Sequence, residues 1–136
     1  MAASYHYPAE AAGLARPRAP FSFRAEDKLR HSGEFLRLQR TGVRYQTPHF
    51  VLFAARLPDS DHTRLGVTVS RRIGKAVVRN RIKRRLRECF RLRLRPMLPV
   101  GTALAVIARN GAGDLRMPAI QAELETAILH LKGRLT

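Results

Sequence analysis

The sequence has little cysteine, no tryptophan and no long apolar run, and each shortage excludes a class of protein. Its 136 residues include one cysteine, Cys89, so a disulfide framework and a CxxC metal site are excluded. A single cysteine suits a reducing compartment, and we expect a cytoplasmic protein. No apolar run approaches the roughly 20 residues that a membrane-spanning helix needs. Without tryptophan, binding to a membrane surface is also disfavoured.

Acidic residues are scarce as well, since ten Asp and Glu stand against 26 Lys and Arg. No Ser-His-Asp or paired-carboxylate arrangement stands out, and the five histidines show no metal-ligand spacing. Metal-dependent cleavage of phosphodiesters usually needs clustered carboxylates. A nuclease that works through protein side chains alone is therefore disfavoured, and we expect neither a catalytic residue nor a protein metal site.

The basic residues are concentrated in one segment, SRRIGKAVVRNRIKRRLRECFR, at residues 70–91. Residues 71–95 hold twelve bases and one acid, whereas the other 111 residues hold 14 bases and 9 acids. Such a patch on an otherwise modestly charged chain is typical of a polyanion binder. Only four of the bases are lysine. Arginine binds phosphate in bidentate fashion and stacks on bases, which suits RNA, although a GC-rich genome would give the same bias.

Apolar periodicity predicts that this segment is a helix from about Gly74 to Arg93, ended by Pro96. Five apolar residues lie within an arc of about 120° and form the predicted buried stripe. Cysteine in this stripe is expected to be a core residue rather than a reactive thiol. The stripe consists of Val78, Ile82, Leu86, Cys89 and Phe90.

Nearly all of the remaining circumference of this helix is Arg, Lys and Asn80. We expect Arg79 and Arg81 on its exposed side, near the start. A charged face that is merely solvated is disfavoured, because so many like charges in a short segment repel one another. The face should therefore bind something strongly negative.

The remaining elements follow from periodicity and from turn residues. Residues 1–22 are rich in Ala and Pro and are predicted to be a disordered extension, with one folded domain at residues 23–136. We predict an α/β (α+β) two-layer sandwich, with a small, mostly antiparallel sheet of about four strands and three helices in the order α-β-β-β-α-β-α. Apart from the basic helix, the elements are a short helix in HSGEFLRLQRTG (31–42), strands in HFVLFAARL (49–57), TRLGVTVS (63–70) and ALAVIAR (103–109), and a last helix from Pro118 to Gly133.

The segment RLGVTVSRRIGKAVVRNRIKRRLRECFR resembles the signature region of the bacterial ribonuclease P protein family. The similarity continues in EFLRLQRTG, FVLFAAR and VIAR, and covers about residues 23–132. An ordered set of this kind after a Val-Ser strand is far more specific than a basic helix alone. The matching residues are Val69, Ser70, Arg71, Arg72 and Gly74, then Arg79, Asn80, Arg81, Ile82, Lys83, Arg84, Arg87 and Glu88.

The resemblance implies a protein subunit of a ribonucleoprotein endonuclease. In that enzyme an RNA subunit holds the catalytic Mg²⁺ ions and removes the 5′ leader of precursor tRNA, while the protein binds both the RNA subunit and the leader. The expected partners are therefore the RNase P RNA subunit and precursor tRNA, with no membrane and no stable protein partner. The resemblance also implies a left-handed β-α-β crossover through the basic helix, against the general right-handed preference.

The resemblance further assigns two sets of site residues. Without it, Phe35 and Phe53 would more often be core residues, and Asn80 could equally be an ordinary surface residue. Gln39 stands where the family often has a second aromatic residue, and a hydrogen-bonding side chain would serve there instead. The RNA-subunit-binding set is Lys75, Arg79, Asn80, Arg81, Lys83, Arg84 and Arg87, and the leader-binding groove consists of Phe35, Gln39, Phe53, Ser70, Arg71 and Arg72.

Two other functions stay open at this point. A ribosomal or general RNA-binding protein would explain the charge but not the ordered motif. A nuclease that needs no RNA subunit is the third class. A cleavage assay with and without RNase P RNA separates them, since only a ribonuclease P subunit requires that RNA.

We predict that affinity for RNase P RNA falls steeply with salt, because phosphate contacts release counterions from the RNA. The clustered charge of residues 71–95 motivates this expectation. A plot of log affinity against log salt should be linear, with a slope of roughly −0.7 to −0.9 for each neutralised phosphate. Equilibrium binding over a range of salt concentrations measures the slope, and a nearly flat plot would contradict the prediction.

Overall fold

The computed structural model describes residues 32–57 and 62–135, so the extension predicted at residues 1–22 and its boundary with the domain lie outside the described residues. Within these ranges the predicted order α-β-β-β-α-β-α is confirmed. No helix in the described ranges is long and apolar enough to cross a membrane. The elements are α1 (Ser32–Thr41), β1 (Val43–Gln46), β2 (Phe50–Arg56), β3 (Arg64–Thr68), α2 (Ala76–Cys89), β4 (Thr102–Ala108) and α3 (Met117–Lys132).

The four strands form one sheet in the order β1-β2-β4-β3. Strand β2 pairs antiparallel with β1 and β4, whereas β3 pairs parallel with β4, so the mostly antiparallel sheet is confirmed. Strand β4 lies between β2 and β3, which explains why ALAVIAR has no polar face. Helix α2 connects the parallel neighbours β3 and β4. The hand of this crossover, left according to the resemblance, stays a prediction.

Helices α2 and α3 cover one face of the sheet and bury the main core against it. Phe50 and Leu52 of β2 and Leu104 of β4 are fully buried in this core. The predicted stripe of α2 is confirmed, because Val78 is half-buried and its other members are buried. The predicted stripe of α3 is confirmed too, with every member buried: Ile120, Leu124, Ile128 and Leu131.

Cys89 lies in the apolar stripe, and its side chain is fully buried. Burial, reinforced by the negative charge of Glu125 and only partly offset by Arg93, raises the pKa of the thiol to about 12. The thiolate is the reactive form of cysteine, so a thiol that stays protonated is chemically inert. Cys89 is therefore a packing residue, as expected.

Helix α1 lies on the opposite face of the sheet, so the two-layer description holds for the main core while α1 adds a partial third layer. Leu38 packs there on Phe53 and Ala105. A carboxylate oxygen of Glu34 lies 3.8 Å from a guanidinium nitrogen of Arg64, so the start of α1 reaches β3. The physical reason is that β2 and β4 are apolar on both faces, and both faces need covering.

Gly42 ends α1, as predicted, and this position has no room for a side chain. The Gly42 amide donates a hydrogen bond to the Leu38 carbonyl oxygen at 2.8 Å. A Cβ on Gly42 would lie 2.6 Å from that oxygen and 3.0 Å from the carbonyl oxygen of Ala54. Glycine therefore allows the chain to turn from α1 directly into β1 against the backbone of β2.

The basic helix does not end where the sequence predicts. Its α-helical part ends at Cys89, and the chain continues through a π turn (Phe90–Leu94) and a 3₁₀ turn (Arg95–Met97). The predicted stop at Arg93, enforced by Pro96, is wrong. Pro96 lies at the start of the final turn, where a missing backbone N–H is tolerated.

A polar cluster fastens α3 to the turn between β1 and β2. The Glu123 carboxylate accepts hydrogen bonds from the Thr47 hydroxyl at 2.5 Å, from the His49 amide at 2.7 Å and from His49 Nδ1 at 2.9 Å. The Thr47 hydroxyl in turn accepts from the Phe50 amide at 3.0 Å. Burial alone would raise the pKa of Glu123, but these hydrogen bonds and the charge of His49 outweigh it and hold the pKa below 4.5.

We predict that Glu123→Gln lowers the free energy of unfolding at neutral pH by about 1–3 kcal/mol, because hydrogen bonds to a charged group are lost. The folded-state pKa is depressed, so this contribution is fully present above the ordinary pKa of 4.5 and is lost as pH falls through the folded-state value. Urea titrations of both proteins at neutral pH and at successively lower pH measure it.

The matched control is Glu125→Gln on the same helix. The Glu125 carboxylate pairs with Arg93 at 3.1 Å at a more exposed position. This substitution should change stability by only about 0–1 kcal/mol. Equal losses for the two variants, or a Glu123→Gln loss that persists unchanged in acid, would show that the cluster does not contribute as argued.

Candidate RNA-binding surfaces

Two arginines tie α2 to the loop that precedes α3. Arg81 and Arg85 lie one helical turn apart and face this loop. Arg81 Nη2 donates to the Gly113 carbonyl oxygen at 3.3 Å, and Arg85 Nη1 donates to the Leu115 carbonyl oxygen at 2.7 Å. These side chains therefore fix the orientation of the helix as well as contributing positive charge.

The expectation that Arg79 and Arg81 lie on the exposed side of the helix is wrong, since both are half-buried. Arg79 Nε donates to the Gly74 carbonyl oxygen at 3.2 Å, across the start of the helix. An arginine lays its methylene stem on nearby apolar surface and directs its guanidinium to an available carbonyl. Because a guanidinium carries five N–H donors, both residues keep donors for phosphate.

The side chains of five basic residues of the segment make no hydrogen bond or ion pair with any residue in the described ranges. Two of them belong to a 3₁₀ turn, Arg71–Ile73, which follows β3 and delays the start of α2 from the predicted Gly74 to Ala76. Their charges are therefore available to a polyanionic partner. The five residues are Arg71, Arg72, Lys75, Lys83 and Arg84.

Three of these cations lie on α2 or just before it, together with Asn80 and Arg87. Asn80 is exposed one turn before Arg84, and Arg87 is half-buried one turn after Lys83. Lys75 is exposed just before the helix. We call these five residues, Lys75, Asn80, Lys83, Arg84 and Arg87, the cationic surface.

The end of the basic segment is partly neutralised. Arg91 pairs with Glu88, and Arg93 Nε lies 3.1 Å from a carboxylate oxygen of Glu125. The guanidinium of Arg95 lies over a ring, 5.9 Å from the centroid of Phe90. Uncompensated charge is therefore concentrated between residues 71 and 84.

Beside α1, the second face of the sheet stays open. One row of residues crosses all four strands there, through Gln46, Val51, Ile107 and Thr68, which are neighbours in the strand register. Val51 and Ile107 are half-buried in the centre, whereas Gln46 and Thr68 are exposed at the sides. We call this row the groove floor. Apolar side chains with polar edges suit the flat face of an aromatic base.

Helix α1 forms one wall of this groove. Phe35 is half-buried in the same cluster as Phe53, so the structure brings the two predicted phenylalanines together. Phe53, however, is only 9% exposed and lies beneath Leu38. It therefore offers little of its ring to a ligand, although the resemblance places it in the leader-binding groove. Gln39 is exposed on α1.

At its other end the groove meets basic residues from two strands. Residues 70–72 are exposed after β3, and Arg109 is exposed after β4. Sequence reasoning missed Arg109 and the floor residues Val51 and Ile107. A sequence signal for the floor residues existed, because β2 and β4 have apolar residues on both faces. Deciding which of the two faces stays open, however, required the position of α1.

A helix face with several cations that have no partner in the described ranges, next to an open sheet face with an apolar floor and an aromatic wall, defines an RNA-binding protein of the α+β class. Comparison with known proteins agrees. A profile of the ribonuclease P family matches residues 23–132. The ribonuclease P protein component of Syntrophobacter fumaroxidans is 43% identical over 119 residues, which cover 87% of this chain and 98% of that protein. The ribonuclease P protein component of Clostridium botulinum strain Langeland is 37% identical over 106 residues, which cover 78% of this chain and 91% of that protein.

Solved structures are similar as well. The RNase P protein of Staphylococcus aureus superposes with a TM-score of 0.68 at 31% identity, covering 78% of this chain and 97% of that one. The RNase P protein of Thermotoga maritima superposes with a TM-score of 0.66 at 30% identity, covering 74% of this chain and 94% of that one. The chain therefore belongs to the ribonuclease P protein family. Its function is that of the protein component, acting with the RNase P RNA in processing the 5′ ends of tRNA.

Proposed function

We propose that the protein divides its work between two surfaces, with the cationic surface binding the RNase P RNA and the groove binding the 5′ leader of precursor tRNA. The observation that carries this proposal is the set of five cations without a described partner, which runs from the end of the groove onto the outer side of α2. Folded RNA is recognised through its backbone and shape, which suits a convex helix face. Single strands need a groove with an apolar or aromatic base platform.

In this proposal the leader strand lies on the groove floor beside α1. Phe35 supplies a ring at the wall, and Val51 with Ile107 supplies the apolar platform. Gln39 on α1 offers an amide that replaces the aromatic residue often found there. Arg72 reaches a phosphate at the far end, where no described acid competes for it.

The chemistry is assigned to the RNA subunit, with Mg²⁺ held mainly by that RNA. In the ranges 32–57 and 62–135, His, Cys, Asp and Glu side chains form no group of three that would hold a metal ion. The protein's contribution is to hold the leader and to offset phosphate repulsion between two RNA molecules. A cytoplasmic location and the lack of a stable protein partner belong to the same proposal.

The first test concerns the RNA subunit. Replacing Lys83 and Arg84 by alanine should weaken binding to RNase P RNA and reduce the salt slope by about 1 for each lost phosphate contact, without loss of stability. The matched control replaces Arg91 and Arg93, which removes the same charge from residues already paired with acids. It should weaken binding much less. Equal effects of the two double variants would mean that only total charge matters.

The second test concerns the leader. Phe35→Ala should weaken precursor tRNA binding by the enzyme by about 1–3 kcal/mol if its ring stacks on one base. Binding of tRNA without a leader should not change. Leu36→Ala is the control, because Leu36 lies on the same helix and is 53% exposed. With folding checked by circular dichroism, an equal loss for both tRNAs would place Phe35 outside the leader site.

A further inference from the structure

A stacked pair of aromatic rings lies at the β1 edge of the sheet, on the face that α2 and α3 cover. Tyr45 of β1 and His130 of α3 face each other with their ring centroids 4.6 Å apart and their planes 13° from parallel. Tyr45 is half-buried and packs against the main core, whereas His130 is exposed. Because Tyr45 covers one face of the imidazole, the opposite face of the imidazole is open to a ligand.

Arg134, just after the end of α3, is held beside these rings. Its Nη1 donates to the carbonyl oxygen of Arg44, the residue directly before Tyr45, at 3.4 Å. Its Nε and Nη2 donate to no residue in the described ranges, and no described acid pairs with it. A guanidinium fixed through one nitrogen, with others free, is preorganised to bind an anion. We call Tyr45, His130 and Arg134 the edge site.

An open ring face next to a guanidinium suits one unpaired nucleotide. Bases of every kind stack on aromatic faces, and arginine binds phosphate oxygens through its planar fork. The Tyr45 hydroxyl makes no hydrogen bond within the described ranges, so it adds a donor at the rim of the rings. Glu123, two turns before His130 on α3, is already bonded to Thr47 and His49. Its charge is therefore engaged elsewhere, and the edge site stays cationic.

The position of the edge site indicates which RNA it meets. Side chains alternate along β1, so Tyr45 lies on the helix-covered face and Gln46 of the groove floor lies on the other. The cationic surface belongs to the helix layer too, but α2 packs against β3 and α3 against β1, which are the two outer strands. Neighbouring strands are about 4.8 Å apart, so these edges are separated by roughly 14 Å. A large folded RNA bound to α2 spans this distance across the helices, whereas the proposed leader path lies on the opposite face.

We propose that the edge site binds one unpaired nucleotide of the RNase P RNA. The base stacks on the imidazole of His130, a phosphate of the same nucleotide binds Arg134, and the Tyr45 hydroxyl donates a hydrogen bond at the rim. The inference rests on the proposed binding of this RNA by the cationic surface, and it adds a separate contact at the opposite edge of the helix layer. Once the first contact has formed, the second is intramolecular, so even a small site adds to the affinity.

The test measures equilibrium binding of the full-length protein to RNase P RNA over a range of salt concentrations. His130→Ala should weaken binding roughly five- to a hundredfold, as expected for one stacked base. His130→Phe keeps an aromatic face and should retain most of the affinity. Arg134→Gln should weaken binding and reduce the salt slope by about 1, because one phosphate contact is lost. Arg134→Lys, which keeps the charge but not the fork, should give an intermediate loss.

The matched control is Leu129→Ala, because Leu129 directly precedes His130 on the same helix and is 63% exposed. This variant should bind as the unsubstituted protein does. Chemical probing of the RNase P RNA locates the contact. One unpaired nucleotide should be protected from 2′-hydroxyl acylation by the unsubstituted protein and by His130→Phe, and should become reactive with His130→Ala. Urea unfolding of each variant shows whether it is folded.

The assignment is wrong if His130→Ala lowers stability but not affinity, because the rings then only fasten α3 to β1. It is equally wrong if no protected nucleotide depends on His130. It is also wrong if the assembled His130→Ala enzyme loses affinity for precursor tRNA but not for leaderless tRNA, since the site would then belong to the leader.

Failure of the proposed function gives a different pattern, in which replacing Lys83 and Arg84 leaves binding to RNase P RNA unchanged. If that double variant weakens binding and His130→Ala does not, only the edge site is misassigned.

Discussion

Burial of the apolar stripe of α2 against the sheet is the interaction on which the rest of the structure depends. Residues 71–95 carry twelve bases and one acid, and charges at this density repel one another. Ile82, Leu86 and Phe90 are almost completely buried, and each such side chain contributes about 1.5–3 kcal/mol. Bonds from Arg81 and Arg85 to backbone carbonyls then set the rotation of the helix. Packing of this apolar stripe on the sheet thus holds the basic side chains of α2 in position.

The second constraint is that the central strands are apolar on both faces. The main core covers one face, and α1 covers only part of the other. Gly42 and the approach of Glu34 to Arg64 fix α1 at its two ends, so the uncovered part is a defined groove rather than a loosely covered surface. Since the strands β3 and β4 are parallel, their basic continuations meet at one end of this groove.

Local periodicity was enough to predict the two long helices, their buried stripes and three strands. Strand β1 did not emerge from periodicity, because Val43–Gln46 is short and gains its order from pairing with β2. The environment of Arg81 was predicted wrongly because its acceptor, the Gly113 carbonyl oxygen, depends on how the chain folds back. Arg79 instead bonds the Gly74 carbonyl oxygen at the start of the helix, which helical periodicity alone does not predict. The Glu123 cluster joins α3 to residues near Thr47, which are far away in the sequence, so no local sequence pattern predicts it. The ordered residues of the ribonuclease P motif were enough to indicate the family. The groove became visible only from the register of the four strands and from the position of α1 on the sheet.

The groove floor has a consequence for which RNAs are tolerated. The side chains of Val51 and Ile107 contain no hydrogen-bond donor or acceptor, so in the proposed function a base on them would be held by its flat face, which purines and pyrimidines share. Under the proposed function, different bases would be distinguished at the edges of the floor, where Gln39, Gln46 and Thr68 are exposed. A cell must mature many tRNAs whose upstream nucleotides differ, and in the proposed function an aliphatic platform would accept this variety.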